Sequence, residues 1–265
     1  MNRRNIIFFD IDGTLLPEGG VVPESTKQAI SQIKKNGDIA MVCTGRTLSF
    51  IPKEILKLDF QGLIAGAGTY CEYNRKVLRN VCLPRDKAYQ EVKFLIDNHF
   101  APVGEGPEHM FLPGDTEFEL SEDCKKYNQA FRSRFPGTIL ELKAENIDVN
   151  KFTAQRLMGC NEEMVYEHFE KDYTIVDHAK ELLEFIPKPF SKASGIELII
   201  QELGIPRENT YAFGDGGNDL EMLDFVANGV AMGNATMDAK AHASYVTKDI
   251  LDDGIFFGLK HFHLI

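Results

Sequence analysis

The stretch IIFFDIDGT at residues 6–14 decides the fold class of this 265-residue chain. Residues 6–11 form a short, nearly continuous apolar run, which is typical of a strand covered on both faces in a parallel sheet. Asp10 and Asp12 stand at its end, before a glycine. Asp-Gly alone predicts only a turn, but a carboxylate that ends a buried run needs a partner or a metal. The stretch therefore predicts a buried first strand that ends in a functional site.

Helical and strand patterns alternate after this strand and again near the C-terminus. The predicted elements are helices at 23–36, 48–58, 194–203 and 220–227, strands at 39–43, 62–65, 211–213 and 230–232, and a hairpin at 70–73 and 76–82. Such alternation predicts a parallel sheet with right-handed crossovers.

The order of predicted helices and strands changes in the middle of the chain. There we predict helices at 87–98, 122–135 and 162–171 and strands at 152–158, 173–176 and 182–186. The sequence therefore predicts an α/β fold in which residues 1–83 and 187–265 form one parallel-sheet domain. Residues 84–186 are an α/β insertion between its two halves.

Composition narrows the function classes. The formal charge of −11 argues against sequence-independent binding to nucleic acid, where Lys and Arg must neutralise phosphates. The longest apolar run, at 39–43, is too short to span a membrane. Five scattered cysteines without a C-x-x-C pair predict reduced thiols and a cytoplasmic protein. His261 and His263 are interpreted as part of a frayed polar tail.

Three more polar clusters lie near predicted strand ends, where open α/β sheets bind ligands. In TGR at 44–46, a hydroxyl, a glycine and a helix start suit an oxyanion, although Thr44 alone predicts only a helix N-cap. Lys192 precedes a helix and, taken alone, is typical of a solvent-exposed lysine. GDGGND at 214–219 can hold a cation and an anion, or form a turn with an N-cap. Their shared placement favours one site.

These motifs, in this order, resemble those of the haloacid dehalogenase superfamily of aspartyl-phosphate phosphohydrolases. The resemblance rests on DxDGT at 10–14, TGR at 44–46, Lys192 and GDxxND at 214–219, and GVAMGNA at 229–235 also fits the Cof-type branch. One departure is Ala67-Gly68, where that branch often has Asn-Gly. The resemblance implies a Rossmann-like catalytic core and an inserted cap that selects the substrate.

The resemblance also implies roles. Asp10 would attack phosphorus, and Asp12 would act as general acid and then general base. A magnesium ion would be bound by the side chains of Asp10 and Asp215, by the backbone carbonyl of Asp12, and by Asp219 through water. The phosphoryl group and substrate would be held by Thr44, Gly45, Arg46, Lys192 and Asn218. Charge supports the cation independently, because four carboxylates and a phosphate dianion exceed one lysine, and hard oxygen ligands favour Mg²⁺.

The implied function is hydrolysis of small phosphate monoesters, foremost sugar phosphates. Three alternatives remain open: a phosphomutase of the same superfamily, a phospho-aspartate signalling switch, and an inactive binding protein. A mutase needs a basic cluster for a second phosphate, for which the insertion offers Arg132, Arg134, Lys151 and Arg156. The oligomeric state is not predicted.

Overall fold

A computed structural model describes residues 4–58, 60–135, 139–178 and 181–265 of the chain. Its strands, in chain order, are β1 (Ile6–Phe9), β2 (Ile39–Cys43), β3 (Gly62–Ala65), β4 (Tyr70–Tyr73), β5 (Lys76–Asn80), β6 (Phe100–Glu105), β7 (Met110–Pro113), β8 (Ile139–Leu142), β9 (Lys151–Arg156), β10 (Tyr173–His178), β11 (Leu182–Pro187), β12 (Thr210–Gly214), β13 (Asn228–Ala231) and β14 (Tyr245–Val246). Its α-helices are α1 (Glu24–Lys35), α2 (Lys53–Leu56), α3 (Arg85–Asp97), α4 (Glu122–Arg134), α5 (Glu162–Phe169), α6 (Lys192–Leu203), α7 (Leu220–Phe225), α8 (Met237–His242) and α9 (Gly254–His261).

The chain divides into two compact units. The core unit comprises Met1–Gly45, Ile51–Arg79 and Ser191–Ile265, and the inserted unit comprises Arg46–Phe50 and Asn80–Phe190. The short segment Arg46–Phe50 therefore belongs to the inserted unit, although it begins only three residues after the end of β2.

The core unit contains an eight-stranded sheet in the order β14-β13-β12-β1-β2-β3-β4-β5. The pairs from β14 to β3 are parallel, and β3 pairs with β4 in the antiparallel sense. β1 and β2 are buried along their whole length, as apolar strands covered on both faces should be. The predicted α/β fold with a parallel-sheet core is confirmed. β1 is shorter than the predicted 6–11, because the N–H groups of Leu15 and Leu16 bond to the carbonyl of Ile11 and turn the chain.

The inserted unit contains a six-stranded sheet in the order β10-β11-β9-β6-β7-β8. Its pairs are antiparallel except β7 with β8. α3 and α5 pack on it over a cluster rich in aromatic side chains, including Phe100, Phe152, Phe169 and Phe185. β6, β7 and β8 were missed from the sequence.

The C-terminus contradicts the frayed-tail interpretation. Residues Gly254–His261 form α9, the ring of His261 stacks on Tyr245 at 3.8 Å, and Leu264 is buried. The five cysteines are free thiols, as predicted. Among the described residues, no helix is both long and apolar enough to cross a bilayer.

Candidate active site

Asp10 lies directly after β1, at the carboxyl end of the parallel sheet. Its backbone N–H continues the ladder to the carbonyl of Phe213 at 3.0 Å, so its position is fixed by the sheet itself. Its side chain is buried, with 3% of the residue exposed, and Oδ1 lies 2.6 Å from Nζ of Lys192. The predicted nucleophile is therefore held rigidly and paired with a cation.

Lys192 reaches this carboxylate from a helix, not from a strand end as the sequence pattern indicated. It is the first residue of α6, whose start is fixed by a capping box between Ser191 and Ser194. Its buried ammonium lies 2.6 Å from Oδ1 of Asp10 and 2.6 Å from Oδ1 of Asp219. Gly195 lets α6 approach closely, since a Cβ there would collide with Ile64 of β3. Lys192 thereby joins β1 to the loop after β12.

That loop is organised by the two carboxylates of the fourth motif. Oδ2 of Asp219 accepts the backbone N–H groups of Asp215 and Gly216 at 2.9 and 3.0 Å. Oδ1 of Asp215 accepts the hydroxyl of Thr14 at 2.9 Å. Gly13 has a φ of +75°, and a Cβ at this position would collide with Asp215. The first and fourth motifs are therefore in direct contact.

Asn234 is a supporting residue to which sequence reasoning assigned no role. Its Nδ2 donates to the carbonyl of Gly13 at 2.8 Å, and its Oδ1 accepts the N–H of Ile250 at 3.0 Å. It thus ties the DxDGT turn to the C-terminal part of the core unit. The only signal in the sequence was the GVAMGNA stretch at 229–235.

Burial and charge shift the pKa values here. Burial, reinforced by the charge of Asp219, raises the pKa of Asp215 to about 6. Burial also raises the pKa of Asp10, and Lys192 opposes this shift. Burial alone would lower the pKa of Lys192, but the two carboxylates it contacts outweigh this and raise it. Three carboxylates therefore lie close together, and the ammonium of Lys192 contacts two of them, which leaves a surplus of negative charge.

The donor set fits a hard divalent cation. Carboxylate oxygens of Asp10, Asp215 and Asp219 lie within 4.8 Å of one another, which brings together three of the four predicted ligands. Both oxygens of Asp219 already accept hydrogen bonds, which agrees with a contribution through water. The side chain of Asp12 is exposed and lies outside this group. This leaves the expected contribution of its backbone carbonyl as a prediction.

The remaining predicted residues lie near the ends of β2 and β12. Thr44 is buried, and its N–H donates to the carbonyl of Ile64. The carbonyl of Thr44 accepts the N–H of Ala67, a residue whose φ is 51°. Asn218 is half-buried in the turn after β12. Arg46 falls in the inserted unit, where its guanidinium lies 4.7 Å from the Phe50 ring centre. Phosphate binding by these residues stays a prediction.

The four basic residues considered for a second phosphate do not form a cluster. Lys151 is buried between Glu105 and Glu184, and the guanidinium of Arg156 is paired with Asp177 and Glu162. Arg132 and Arg134 line two different cavities. The geometry gives no support to a mutase site at these positions.

Comparison with known proteins agrees with this site. The sequence model of haloacid dehalogenase (HAD)-like hydrolases matches residues 7–259. The chain belongs to this family. YkrA of Bacillus subtilis (strain 168) is 30% identical over 269 residues, covering 98% of both chains. The 5-amino-6-(5-phospho-D-ribitylamino)uracil phosphatase YitU of the same organism is 26% identical over 279 residues, covering 97% of each chain.

Solved structures lead to the same family. The HAD subclass IIB sugar phosphatase BT4131 superposes with a TM-score of 0.81 at 30% identity, covering 98% of this chain and 100% of that chain. Family, relatives and fold together make this protein a HAD-type phosphatase.

Proposed function

We propose that this phosphatase is magnesium-dependent and hydrolyses small phosphate monoesters, foremost sugar phosphates, through a phosphorylated Asp10. The observation that carries the proposal is the buried Asp10 carboxylate, held 2.6 Å from Lys192 within a group of three carboxylates. A nucleophile fixed by the sheet and paired with a cation is positioned before substrate arrives.

The first step forms a bond between a side-chain oxygen of Asp10 and phosphorus, while the bond from phosphorus to the ester oxygen breaks. Asp12 gives its proton to that leaving oxygen. In the second step Asp12 takes a proton from water as the water oxygen attacks phosphorus. The bond between Asp10 and phosphorus then breaks, which releases inorganic phosphate and returns both carboxyl groups to their starting states.

The charges of the site residues determine how the site can bind a phosphate dianion. Lys192 supplies one positive charge against the carboxylates of Asp10, Asp215 and Asp219. The first two of these would hold Mg²⁺ directly, and Asp219 would orient bound water. When bound, the ion neutralises charge on the phosphoryl oxygens. Thr44, the N–H of Gly45 and Asn218 would donate hydrogen bonds to the same oxygens.

The substrate class rests on similarity. BT4131 is named a sugar phosphatase, and YitU is named for a phosphorylated ribityl compound, so both act on a phosphate carried by a polyol or sugar. Retention of every catalytic residue type argues against an inactive binding protein. No observation in the described part of the chain favours the mutase.

The test compares Asp10→Asn with Asp38→Asn. Asp38 is also buried in the core unit, where it accepts hydrogen bonds from Asn5 near the start of β2. We expect Asp10→Asn to abolish phosphate release and covalent labelling by a phosphate ester while its circular dichroism stays that of wild type. Asp38→Asn should keep both activities. Phosphate release at the wild-type rate from Asp10→Asn would refute the proposal.

A further inference from the structure

Both polar atoms of the Asn234 side chain are bonded to distant parts of the main chain, although the residue is exposed. Asn234 lies in the turn between β13 and α8. Its Nδ2 donates to the Gly13 carbonyl at 2.8 Å, while its Oδ1 accepts the Ile250 N–H at 3.0 Å. An aspartate here could accept from Ile250 but could not donate to Gly13, because an ionised carboxylate has no donor. The two bonds therefore explain an asparagine at this position.

The turn that carries Asn234 is itself fixed to its neighbours. The N–H of Gly233 donates to the carbonyl of Lys248 at 2.8 Å, and Nζ of Lys240 donates to the carbonyl of Gly233 at 2.6 Å. A Cβ at Gly233 would collide with the main chain of Asp249, so the turn lies directly against that segment. Asn234 therefore projects from a firmly held support.

The same turn also contacts the loop of Asp215. The N–H of Thr236 donates to the carbonyl of Asp215 at 2.9 Å. Asp215 in turn contacts the DxDGT turn, where its Oδ1 accepts the hydroxyl of Thr14 and its carboxylate lies where a Cβ of Gly13 would be. The turn after β13 is thus bonded to both segments that carry predicted metal ligands.

Gly13 is the residue on which Asn234 acts. Its φ is +75°, and glycine is the residue whose backbone is least restricted by its own side chain. The N–H of Gly13 donates to the carbonyl of Leu16 at 3.0 Å. Because a trans peptide is planar, this bond also directs the carbonyl of Asp12, which points the opposite way in the same peptide group. With Asn234 holding the carbonyl of Gly13, both peptide groups that flank this glycine are held.

We propose that Asn234 is a positioning residue for the Mg²⁺ site, because its bond to Gly13 fixes the direction of the Asp12 carbonyl before the ion binds. The inference rests on the proposed function, in which that carbonyl is a metal ligand. Asn234 acts through Gly13 and not as a ligand. A ligand that is already oriented loses less conformational freedom on binding, so the bond should strengthen metal binding.

The test compares Asn234→Ala with the matched control Asn36→Ala. Asn36 is an exposed asparagine at the C-cap of α1 in the same unit, and its Nδ2 donates to the carbonyl of Leu264 at 2.8 Å, the length of the bond from Asn234 to Gly13. Calorimetric titration with Mg²⁺ at pH 7.5 should show an affinity lowered by about tenfold in Asn234→Ala. The affinity of Asn36→Ala should equal that of wild type.

A second measurement uses the protein without metal and without substrate. Hydrogen exchange of the segment 10–16, followed by mass spectrometry in the presence of a chelator, reports how firmly the DxDGT turn is held. Asn234→Ala should raise the exchange rate there by about two- to tenfold, the factor that corresponds to one hydrogen bond. Asn36→Ala should leave that rate unchanged, whatever its effect on urea denaturation.

The outcomes separate this inference from the proposed function. A wild-type protein that binds no Mg²⁺ would contradict the proposed function itself. If wild type binds Mg²⁺, an equal affinity in Asn234→Ala would overturn only the role of Asn234, and so would unchanged exchange of the segment 10–16. An equal loss of affinity in Asn36→Ala would also overturn it, because the effect would then follow from any lost surface amide.

Discussion

Two buried lysines, Lys192 in the core unit and Lys151 in the inserted unit, are each held by two carboxylates. Lys192 lies 2.6 Å from both Asp10 and Asp219, and Lys151 lies 3.0 Å from Glu105 and 2.9 Å from Glu184. Both ammonium groups are almost inaccessible to solvent. By burial and pairing alone, the two clusters would be taken for the same kind of site.

The surroundings of the carboxylates separate them. Around Lys151, Glu105 also accepts the hydroxyl of Thr153 at 2.9 Å, and Glu184 lies 2.8 Å from a ring nitrogen of His178. Around Lys192, the additional group is not a hydroxyl or an imidazole but a third carboxylate, that of Asp215. In the inserted unit, the two carboxylates share one lysine and have hydrogen-bonding neighbours of their own, whereas in the core unit a third carboxylate joins the two that share Lys192. In this protein, the third carboxylate belongs to the cluster that contains the proposed nucleophile, Asp10.

The pKa values show the same contrast. Burial alone would raise the pKa of Glu184, but Lys151 and His178 outweigh it and lower that pKa to about 2. Burial and Asp219 instead raise the pKa of Asp215 to about 6. One cluster stabilises its charged carboxylate, and the other disfavours it until a cation arrives.

The largest expected effect concerns Asp12, the exposed carboxylate that lies two residues after Asp10 in the core unit. Asp12→Ala keeps the backbone carbonyl but removes the side chain that we propose as general acid and base, so kcat on a sugar phosphate should fall by about 10²–10⁴. The loss should shrink for nitrophenyl phosphate, whose leaving oxygen needs no proton, where phosphoenzyme formation is rate-limiting. Rates across a series of leaving groups measure this, and an unchanged rate on a sugar phosphate would remove Asp12 from the mechanism.

Exchanging each lysine for methionine sharpens the comparison directly. Lys192→Met removes a positive charge from the reacting site, and kcat should fall by about 10²–10³. Lys151→Met removes the only lysine that the buried carboxylates of Glu105 and Glu184 contact in the described part of the chain, so the free energy of unfolding should drop by about 3–5 kcal/mol. While it stays folded, Lys151→Met should keep kcat within about threefold of wild type.

Urea denaturation and kcat on ribitol 5-phosphate measure the two effects separately. The double variant Lys151→Met/Glu184→Gln, which removes one of the stranded charges, should regain part of the lost stability. The contrast between the clusters would be wrong if folded Lys151→Met lost as much activity as Lys192→Met.

The pH dependence of stability should have opposite signs in the two clusters. The pKa of Glu184 is lowered from 4.5 in the folded state. The charged Glu184 carboxylate therefore contributes to the free energy of unfolding above pH 4.5, and this contribution is lost as the pH falls toward 2. Wild type should lose about 2–3 kcal/mol more than Glu184→Gln between pH 5 and pH 2.5. The folded-state pKa of Asp215 is raised from 3.8, so metal-free protein should lose stability as the pH rises from 4 through 6.

Asp215→Asn should lack that second loss, which we expect to reach about 3 kcal/mol. Urea titrations in the presence of a chelator, followed by circular dichroism, give both slopes. Equal slopes for wild type and Glu184→Gln would show that the Lys151 cluster does not stabilise the charged form of Glu184.

The sequence predicted the core unit well because its signals are local. The apolar run before Asp10 and the motifs that follow each define a strand end, and the parallel topology then brings distant motifs together. The inserted unit was harder to predict. β6 contains Pro102 and Gly104, which argue against a central strand; Pro102 is tolerated because it precedes the part of β6 that pairs with β7.

Buried ion pairs were the other feature that could not be predicted from the sequence. Lys151 was counted among basic residues able to bind a phosphate, yet its partners Glu105 and Glu184 come from neighbouring strands far apart in the chain. Pairing of this kind depends on strand register, which no local pattern shows. Lys192 was recognised only through the resemblance, because its reach to Asp10 depends on where α6 packs.

Direct titration with Mg²⁺ tests the central claim, that surplus carboxylate charge distinguishes the proposed catalytic cluster around Lys192 from the cluster around Lys151. Calorimetry on wild type, Asp215→Asn and Glu184→Gln at pH 7.5 compares the two clusters with matched neutralisations. We predict that one Mg²⁺ binds to wild type and to Glu184→Gln with equal affinity, and that Asp215→Asn weakens binding by at least about tenfold. Binding by Asp215→Asn as tight as wild type, or an equal loss in Glu184→Gln, would contradict the account.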